Sequence, residues 1–154
     1  MNAGWHIGSH MHNHYNLAYL TKKDPSGALI RAQFAKCDGI LNEHLGIISR
    51  DFAYTGTTWS RVAENEVKKR YRFGRLWIVG AHYETDQGSI RYADLVGVPG
   101  TDEADGGPPF AARYITQHSD PYRLPSMDFE YLIYEYDAFQ RYLEGALETK
   151  CMPF

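Results

Sequence analysis

LWIVGAHYETDQGSIRYADLVGV, residues 76–98, is the stretch that decides the predicted fold. The apolar run at its start is typical of a buried strand, which we extend over Leu76–Thr85. Asp86-Gln87-Gly88 follows as a short turn, and we interpret Ser89–Val98 as a returning strand. Two strands joined by a tight turn predict an antiparallel hairpin, around which the rest of the chain is organised.

Upstream of the hairpin, apolar residues recur three or four positions apart, which is the spacing of one helix face. They predict one long helix or two over Ile30–Phe52, after Asp24-Pro25 as N-cap and first helical residue. Gly39 and Gly46 are weak points that cost about 1 kcal/mol each relative to alanine. Ahead of this helix, alternating apolar residues predict a strand over His12–Leu20.

The remaining segments complete the predicted order of elements. A further helix opens at Thr57-Thr58, with a buried stripe formed by Trp59, Val62, Ala63, Val67 and Tyr71. Residues 108–118 fit a helix or a strand, and Met127–Asp137 alternates as a strand would. Ala138–Thr149 is predicted to close the chain as a helix whose inward residues are Phe139, Tyr142, Leu143, Ala146 and Leu147.

This order predicts an α+β fold with a mainly antiparallel sheet of four to five strands and helices on one face. If residues 108–118 are helical, the pattern is that of a ferredoxin-like sandwich with extra helices. If they form a strand, the second half is an antiparallel meander. We expect residues 1–11 to be a flexible lead-in and residues 12–154 to form a single domain.

Length and composition restrict the class of protein. The chain has 154 residues, 44% of them hydrophobic and 23% charged, which is typical of one globular domain. No run is long enough to span a bilayer, and the N-terminus lacks the features of a secretory signal. Cys37 and Cys151 lie far apart in no metal-ligand spacing, which favours a reducing cytoplasm.

Charge and aromatic content bear on the partners. Residues 1–76 carry eleven Lys/Arg against six Asp/Glu, whereas residues 77–154 carry five against thirteen. The net charge of −3 makes nucleic acid an unfavoured partner by default. Twelve tyrosines and three tryptophans exceed what a core of this size needs, which favours a ligand cleft, a homodimer, or both.

The segment from Leu76 to Gly107 carries the residues most suggestive of chemistry. Gly80-Ala81-His82-Tyr83-Glu84 and Pro99-Gly100-Thr101-Asp102-Glu103, followed by Gly107, resemble the metal-binding stretch of the co-catalytic di-zinc aminopeptidases of the bacterial leucyl-aminopeptidase type. The resemblance covers about 30 residues by count and has glutamate at position 84 where the family has aspartate. It implies that His82 is a zinc ligand, that Glu84 orients it and that Asp102 bridges two metal ions, which would activate a shared water.

Downstream, the chain departs from that family. The family requires a pair of glutamates, and the nearest candidates here are Glu135 and Asp137, separated by one residue. It then requires a further aspartate and a histidine, but His118 is the only histidine after Asp102. Glu84 and Glu135 are therefore the candidate catalytic residues if the protein is an enzyme, with zinc as its cofactor; otherwise we expect no cofactor.

Two other clusters could bind a ligand. His10, His12 and His14 alternate, so on a strand they would share a face and could hold a metal from one side. Residues 68–75 are basic with interleaved aromatic residues, which could bind phosphate or stack on bases. The alternative is a helix end whose cations pair with Glu64 and Glu66 one turn earlier.

We therefore expect a small cytoplasmic protein that binds a small molecule or a protein partner without recognisable catalytic apparatus. An aromatic-walled cleft over the sheet, near Trp77, Tyr83 and Tyr92, is the predicted site. A metal-dependent hydrolase, degenerate or completed by a second subunit, is the alternative. Binding of nucleic acid or an acidic partner through residues 68–75 is the weaker alternative.

Overall fold

The computed structural model describes residues 6–127 and 136–148. Its elements in chain order are α1 (Leu17–Lys23), α2 (Ala28–Leu45), β1 (Asp51–Ala53), α3 (Arg61–Arg70), β2 (Phe73–Ile78), β3 (His82–Thr85), β4 (Gly88–Arg91), α4 (Tyr92–Val96), a 3-10 turn (Phe110–Arg113), β5 (Leu124–Met127) and α5 (Tyr136–Glu148). None of the helices in these two ranges combines the length and hydropathy that a bilayer-spanning segment requires.

The fold is α+β, but the prediction of a mainly antiparallel sheet is wrong. β1, β2 and β5 form a three-stranded sheet in that order, and both strand pairs are parallel. Parallel neighbours need a long crossover, and α3 supplies it between β1 and β2. The ferredoxin-like and meander arrangements are both excluded by this topology.

The predicted hairpin exists in a shorter form. β3 and β4 pair antiparallel around Asp86-Gln87, as the turn sequence predicted. The apolar run does not continue into β3, because the chain bends at Val79–Ala81 after β2 ends. Tyr92–Val96 is helical instead of extended, and Gly97, with a φ of +75°, ends that helix.

The N-terminal third differs from the prediction at both of its elements. Residues predicted as a strand form α1, because the Asn16 side chain accepts a hydrogen bond from the Tyr19 N–H and caps the helix. α2 is one helix that ends at Gly46, whose φ is +64°, so Phe52 belongs to β1. Asp24 still caps α2 from outside, since its carboxylate accepts the Leu29 N–H at 2.8 Å.

The segment before α1 is part of the fold from Gly8 onward. Ser9 is completely buried and pairs with Phe52 at the edge of β1. Met11 is also buried, at 5% exposure. The sequence predicted a flexible lead-in over residues 1–11, and these two side chains lie in the core instead.

In the C-terminal half one predicted helix is confirmed, but the prediction of which of its residues face inward is partly wrong. α5 covers most of the predicted Ala138–Thr149, whereas Tyr136 and Asp137, predicted as strand, are already helical. Three of the residues predicted to face inward are exposed instead, namely Phe139, Leu143 and Leu147. Residues 108–118 form neither a helix nor a strand throughout, only the 3-10 turn.

The core lies on one face of the parallel sheet, beneath α2 and α3. Phe34 of α2 packs on Phe52, 4.7 Å between ring centroids, Tyr71 stacks on Phe52 at 5.2 Å, and Phe34 and Tyr71 lie 5.5 Å apart. Such aromatic pairs contribute about 0.5–1.5 kcal/mol each beyond their buried area. The buried stripe predicted for α3 is confirmed for Ala63 and Val67, which are fully buried.

A charged side chain is also fully buried beside this core. The Glu64 carboxylate accepts hydrogen bonds from Lys68, the Trp59 indole and the Arg123 guanidinium. Burial alone would raise the pKa of Glu64, but the bonds from Arg123 and Lys68 outweigh it and hold the pKa below its usual range. Glu64 therefore joins α3 to the segment before β5 as an ion.

Candidate functional site

His82 and Asp102, the two predicted zinc ligands, lie near each other beside the hairpin. His82 and Glu84 lie on the exposed face of β3, and Arg91 of β4 is the register partner of His82. Arg91 holds Asp102 through two hydrogen bonds, 2.9 and 3.3 Å long. These bonds lower the pKa of Asp102, and the nearby His82 lowers it further. Asp102 is therefore the partner of an arginine.

The other acids of this segment also have partners within the protein. Glu84 accepts a hydrogen bond from the Asn16 amide at 2.7 Å, and Glu103 accepts one from the Phe110 N–H. Asp105 is held by the Arg113 guanidinium through two bonds of 2.9 Å. Across residues 6–127 and 136–148 no three His, Cys, Asp or Glu side chains are grouped so that they could hold a metal ion. These donors do not fit a di-zinc centre; Glu135 lies outside the described residues.

The histidines of the N-terminal segment contact one another and the sheet. The His10 and His14 rings meet edge to face with centroids 4.8 Å apart. His10 donates from Nδ1 to the Ala53 carbonyl at 2.9 Å, which fixes the proton on that nitrogen because a carbonyl can only accept. His14 adopts a left-handed backbone, with a φ of +50°. The predicted one-sided strand of histidines is replaced by a bent segment beside β1.

The three aromatic residues of the predicted cleft divide between the surface and the core. Tyr83 and Tyr92 are buried to 1% and 0% exposure, with ring centroids 5.7 Å apart. Trp77 is 39% exposed on β2. The Tyr83 hydroxyl accepts from the Trp77 N–H and donates to the Trp77 carbonyl, both at 2.8 Å. Tyr83 thus supports the strand that presents Trp77 without forming a cleft wall.

The basic run of residues 68–75 is mostly paired. Its ion pairs are Lys68–Glu64, Lys69–Glu66, Arg70–Asp38 and Arg72–Asp51. Arg75 is different, because its hydrogen-bond partner in the described part of the chain is the neutral Ser126 hydroxyl, at 2.9 Å. Among the described residues Arg75 has no carboxylate partner.

Arg75 lies between two exposed aromatic residues on the sheet face opposite α2 and α3, which the described part of the chain leaves uncovered. Burial alternates along β2, so Phe73, Arg75 and Trp77 are exposed while Gly74, Leu76 and Ile78 are buried. Alternate residues of a strand share one face, so Phe73 and Trp77 lie on either side of Arg75, each about 7 Å away along the strand backbone. We call this surface of Phe73, Arg75 and Trp77, with Ser126 beside them, the open sheet face.

Three cavities lie along the open sheet face and share residues. The first, of about 610 Å³, is lined by Phe73 and Arg75, and the second, of about 320 Å³, by Arg75 and Trp77. The third, of about 210 Å³, begins at Trp77 and ends at Arg113. Neighbouring cavities share a lining residue, and we call the three together the groove.

The carboxylates that line this groove are paired with arginines, which leaves one positive charge without a carboxylate partner among the described residues. The carboxylates among its described lining residues are Asp51 and Asp105. Arg72 neutralises Asp51, and Arg113 neutralises Asp105 and holds its pKa below the usual range. Arg75 is therefore the cation of the groove whose charge is uncompensated by described residues.

The sequence indicates Trp77 as a site residue but does not indicate that Phe73 and Arg75 share its face. Trp77 was placed in the predicted cleft, whereas Phe73 and Arg75 were assigned to the end of the preceding helix. The available signal was the alternation of Phe73, Arg75 and Trp77 with Gly74, Leu76 and Ile78, which is typical of a strand that starts three residues earlier than predicted.

Comparisons of this chain with models of protein families, with curated proteins and with solved structures found no match. The candidate site therefore depends on the geometry described above.

Proposed function

We propose that this protein is a binding protein whose site is the open sheet face, and that its ligand carries a flat ring and a negative charge. The observation that carries the proposal is the position of Arg75, a cation without a carboxylate partner among the described residues, between the exposed rings of Phe73 and Trp77. An aromatic ring stacks on Trp or Phe, and a guanidinium matches a carboxylate or phosphate with two parallel hydrogen bonds.

The topology of the sheet supports the same conclusion. Parallel sheets are almost always covered on both faces, because their backbone and side chains are adapted to burial. Here helices α2 and α3 cover one face, while the other exposes Phe73 and Trp77 at about 40% each. A ligand on that face would remove the exposed aromatic area from water, at about 25 cal/mol per Å².

A thermal-shift screen tests the proposal with defined probes: nucleoside monophosphates and aromatic carboxylates. A ligand at about one hundred times its Kd stabilises the folded state by about 2.7 kcal/mol, or roughly 5–10 °C in Tm for a chain of this size. We expect such a shift for at least one probe, and its loss in Arg75→Gln and in Trp77→Ala.

Lys36→Gln is the matched control, because it removes one positive charge from an exposed site on α2, on the opposite side of the sheet. It should leave the shift unchanged. If every probe leaves Tm unchanged, or if Arg75→Gln responds like the wild type, the open sheet face is not the binding site.

The zinc hydrolase is not favoured by any observation at the site. Asp102 would have to leave Arg91 before it could bridge two cations, and Glu84 would have to leave Asn16.

A further inference from the structure

We infer that the ligand of the open sheet face is a single-stranded nucleic acid that lies along β2. The inference rests on the proposed function, since it uses the same face, and it specifies the ligand class. The relevant geometry is the distance between the two rings. Trp77 lies four positions after Phe73, which corresponds to about 13 Å along a strand.

A free nucleotide has one base and can stack on only one of two rings that far apart. A single strand has several bases on a flexible backbone, so it can place one base on Phe73 and another on Trp77. The backbone between these two bases then passes Arg75, where the guanidinium can bind a phosphate with two hydrogen bonds.

The groove extends beyond both rings, as a polymer requires. The 610 Å³ cavity reaches from Phe73 and Arg75 across β1 to Gly8 and His6, and the 210 Å³ cavity reaches from Trp77 to Gly107 and Arg113. Among the described residues, the cavities thus reach beyond the pair of rings.

Duplex nucleic acid fits this face less well. In a duplex the bases are stacked on one another, so exposed rings have no base plane to contact. Aromatic side chains on an exposed sheet are a general means of binding unpaired bases, and each stacked base contributes without strict sequence preference.

The net charge of −3 does not exclude this ligand, because salt screens distant charges. The charges close to the groove therefore act most strongly on a bound strand. Asp51 and Asp105, its lining carboxylates among the described residues, are each held by an arginine. Most of the chain's excess acidic residues lie after position 76, whereas Phe73 and Arg75 lie in the half that has an excess of basic residues.

Fluorescence anisotropy with labelled oligothymidylates of increasing length, and with the matching oligouridylates, tests the inference on the intact protein. We expect affinity to rise at least about tenfold from the dinucleotide to the octanucleotide, as more bases and phosphates are engaged. A duplex of the same length should bind more weakly, and the difference between the two sugar types shows whether DNA or RNA is preferred.

Variants locate the strand on the face. Trp77→Ala and Phe73→Ala should each weaken octathymidylate binding by roughly 5- to 100-fold, because one stacked base is lost. Arg75→Gln should weaken binding and reduce the slope of log affinity against log salt by about 0.7, which corresponds to one phosphate contact. Trp77→Phe keeps a ring and should retain most of the affinity.

Two control variants should bind as the wild type does. Tyr19→Ala removes an exposed ring from α1, which packs against α2, α3 and β3, and Lys36→Gln removes a charge from α2. Circular dichroism of every variant shows whether it is folded, and all the changed side chains are exposed.

The outcomes separate the two proposals. If thymidine monophosphate binds as tightly as the octanucleotide, or if only an aromatic carboxylate binds, the nucleic-acid inference is overturned while the binding face stands. If oligonucleotides bind but the three open-face variants bind normally, both are overturned. If neither oligonucleotide nor any small probe binds, both fail, and a second copy of the chain becomes the occupant to examine by light scattering.

Discussion

Tyr54 and Tyr83 are both buried, but their hydroxyl groups differ in what they contact. The Tyr83 hydroxyl bonds to both backbone groups of Trp77, which face the side of β2 where β1 has already ended. It therefore replaces the missing strand at that position. The Tyr54 hydroxyl is buried without a hydrogen-bond partner among the described residues, and burial raises its pKa far above the usual value.

Removal of each hydroxyl should consequently have a different effect. Tyr83→Phe leaves a buried N–H and C=O without partners, so we expect a loss of about 1–3 kcal/mol in the free energy of unfolding. Tyr54→Phe removes an unsatisfied polar atom, so the change should be within about 1 kcal/mol and towards greater stability. Urea unfolding measures both, and a Tyr54→Phe loss as large as that of Tyr83→Phe would contradict this description.

Glu64 gives the molecule a defined response to acid. Its folded-state pKa is lowered, so the unfolded chain binds the proton first as the pH falls. The stability that Glu64 provides is thus complete above the unfolded pKa of about 4.5 and is lost as the pH falls through the lower, folded value. Asp102 and Asp105, whose pKa values are also lowered, add to the loss below about 3.8.

Glu64→Gln tests this assignment. Near neutral pH it leaves Arg123 partly buried without its carboxylate, and we expect a loss of about 3 kcal/mol. The variant should also lose less further stability on acidification than the wild type does, because one titrating group has been removed. Guanidinium unfolding at a series of pH values measures both effects; a parallel pH dependence for the two proteins would show that Glu64 does not contribute.

At the scale of elements, Gly39 and Gly74 differ in whether a larger side chain would fit at their positions. Gly39 lies in the middle of α2, and beyond the adjacent backbone of its own helix no described atom lies within 4 Å of where a Cβ would be. Gly74 lies on β2, where a Cβ would be 2.8 Å from the Tyr122 carbonyl oxygen and 2.9 Å from the Tyr54 ring. The sequence predicts Gly39 to be a weak point of a helix and Gly74 to lie just past the end of the next helix.

Alanine at each position distinguishes the two. Gly39→Ala should raise stability by about 1 kcal/mol, since alanine is the better helix former. Gly74→Ala must displace a ring and backbone in the core, and we expect a loss of about 1–3 kcal/mol, the usual cost of overpacking. Thermal unfolding of the two variants is the measurement, and an increase in Tm for Gly74→Ala would mean that the approach of Tyr54 to β2 is looser than described.

Local chemistry explains which elements could be predicted from the sequence. The turn at Asp86-Gln87 and the buried stripe of α3 follow from patterns contained within a few residues, and both are confirmed. The position of β2 depends instead on pairing with β1 and β5, which lie about 22 and 50 residues away in the chain. Pairing partners at that separation leave no local signal, so the direction of the sheet was not predictable.

The same reason limits prediction of the site. Trp77 was identified from its residue type, because tryptophan is common at binding surfaces. Arg75 could not be distinguished from Arg72 in the sequence, since both belong to one basic run. Only the structure shows that Arg72 is neutralised by Asp51, while Arg75 contacts a neutral hydroxyl.

At the scale of the whole molecule, the main feature is that the two faces of the sheet differ, since α2 and α3 cover one and the described residues leave the other exposed. Helices protect one face, and the acidic loop after α4 is fastened by Arg91 and Arg113 instead of lying free in solvent. The homodimer expected from the tyrosine and tryptophan content remains a prediction. Light scattering gives the mass of the particle, and a dimer that dissociates in Trp77→Ala would place a second copy on the open sheet face in competition with the proposed ligand.

The most direct test of the central claim is ¹⁹F NMR of protein that contains 5-fluorotryptophan. Trp77 lies on the open sheet face, and Trp59, at 7% exposure, serves as an internal reference in the core. Trp77→Phe assigns the resonance of interest. We predict that octathymidylate shifts the Trp77 resonance in proportion to the bound fraction and leaves the Trp59 resonance in place. A bound oligonucleotide with an unchanged Trp77 resonance would contradict the assignment of the open sheet face as the binding site.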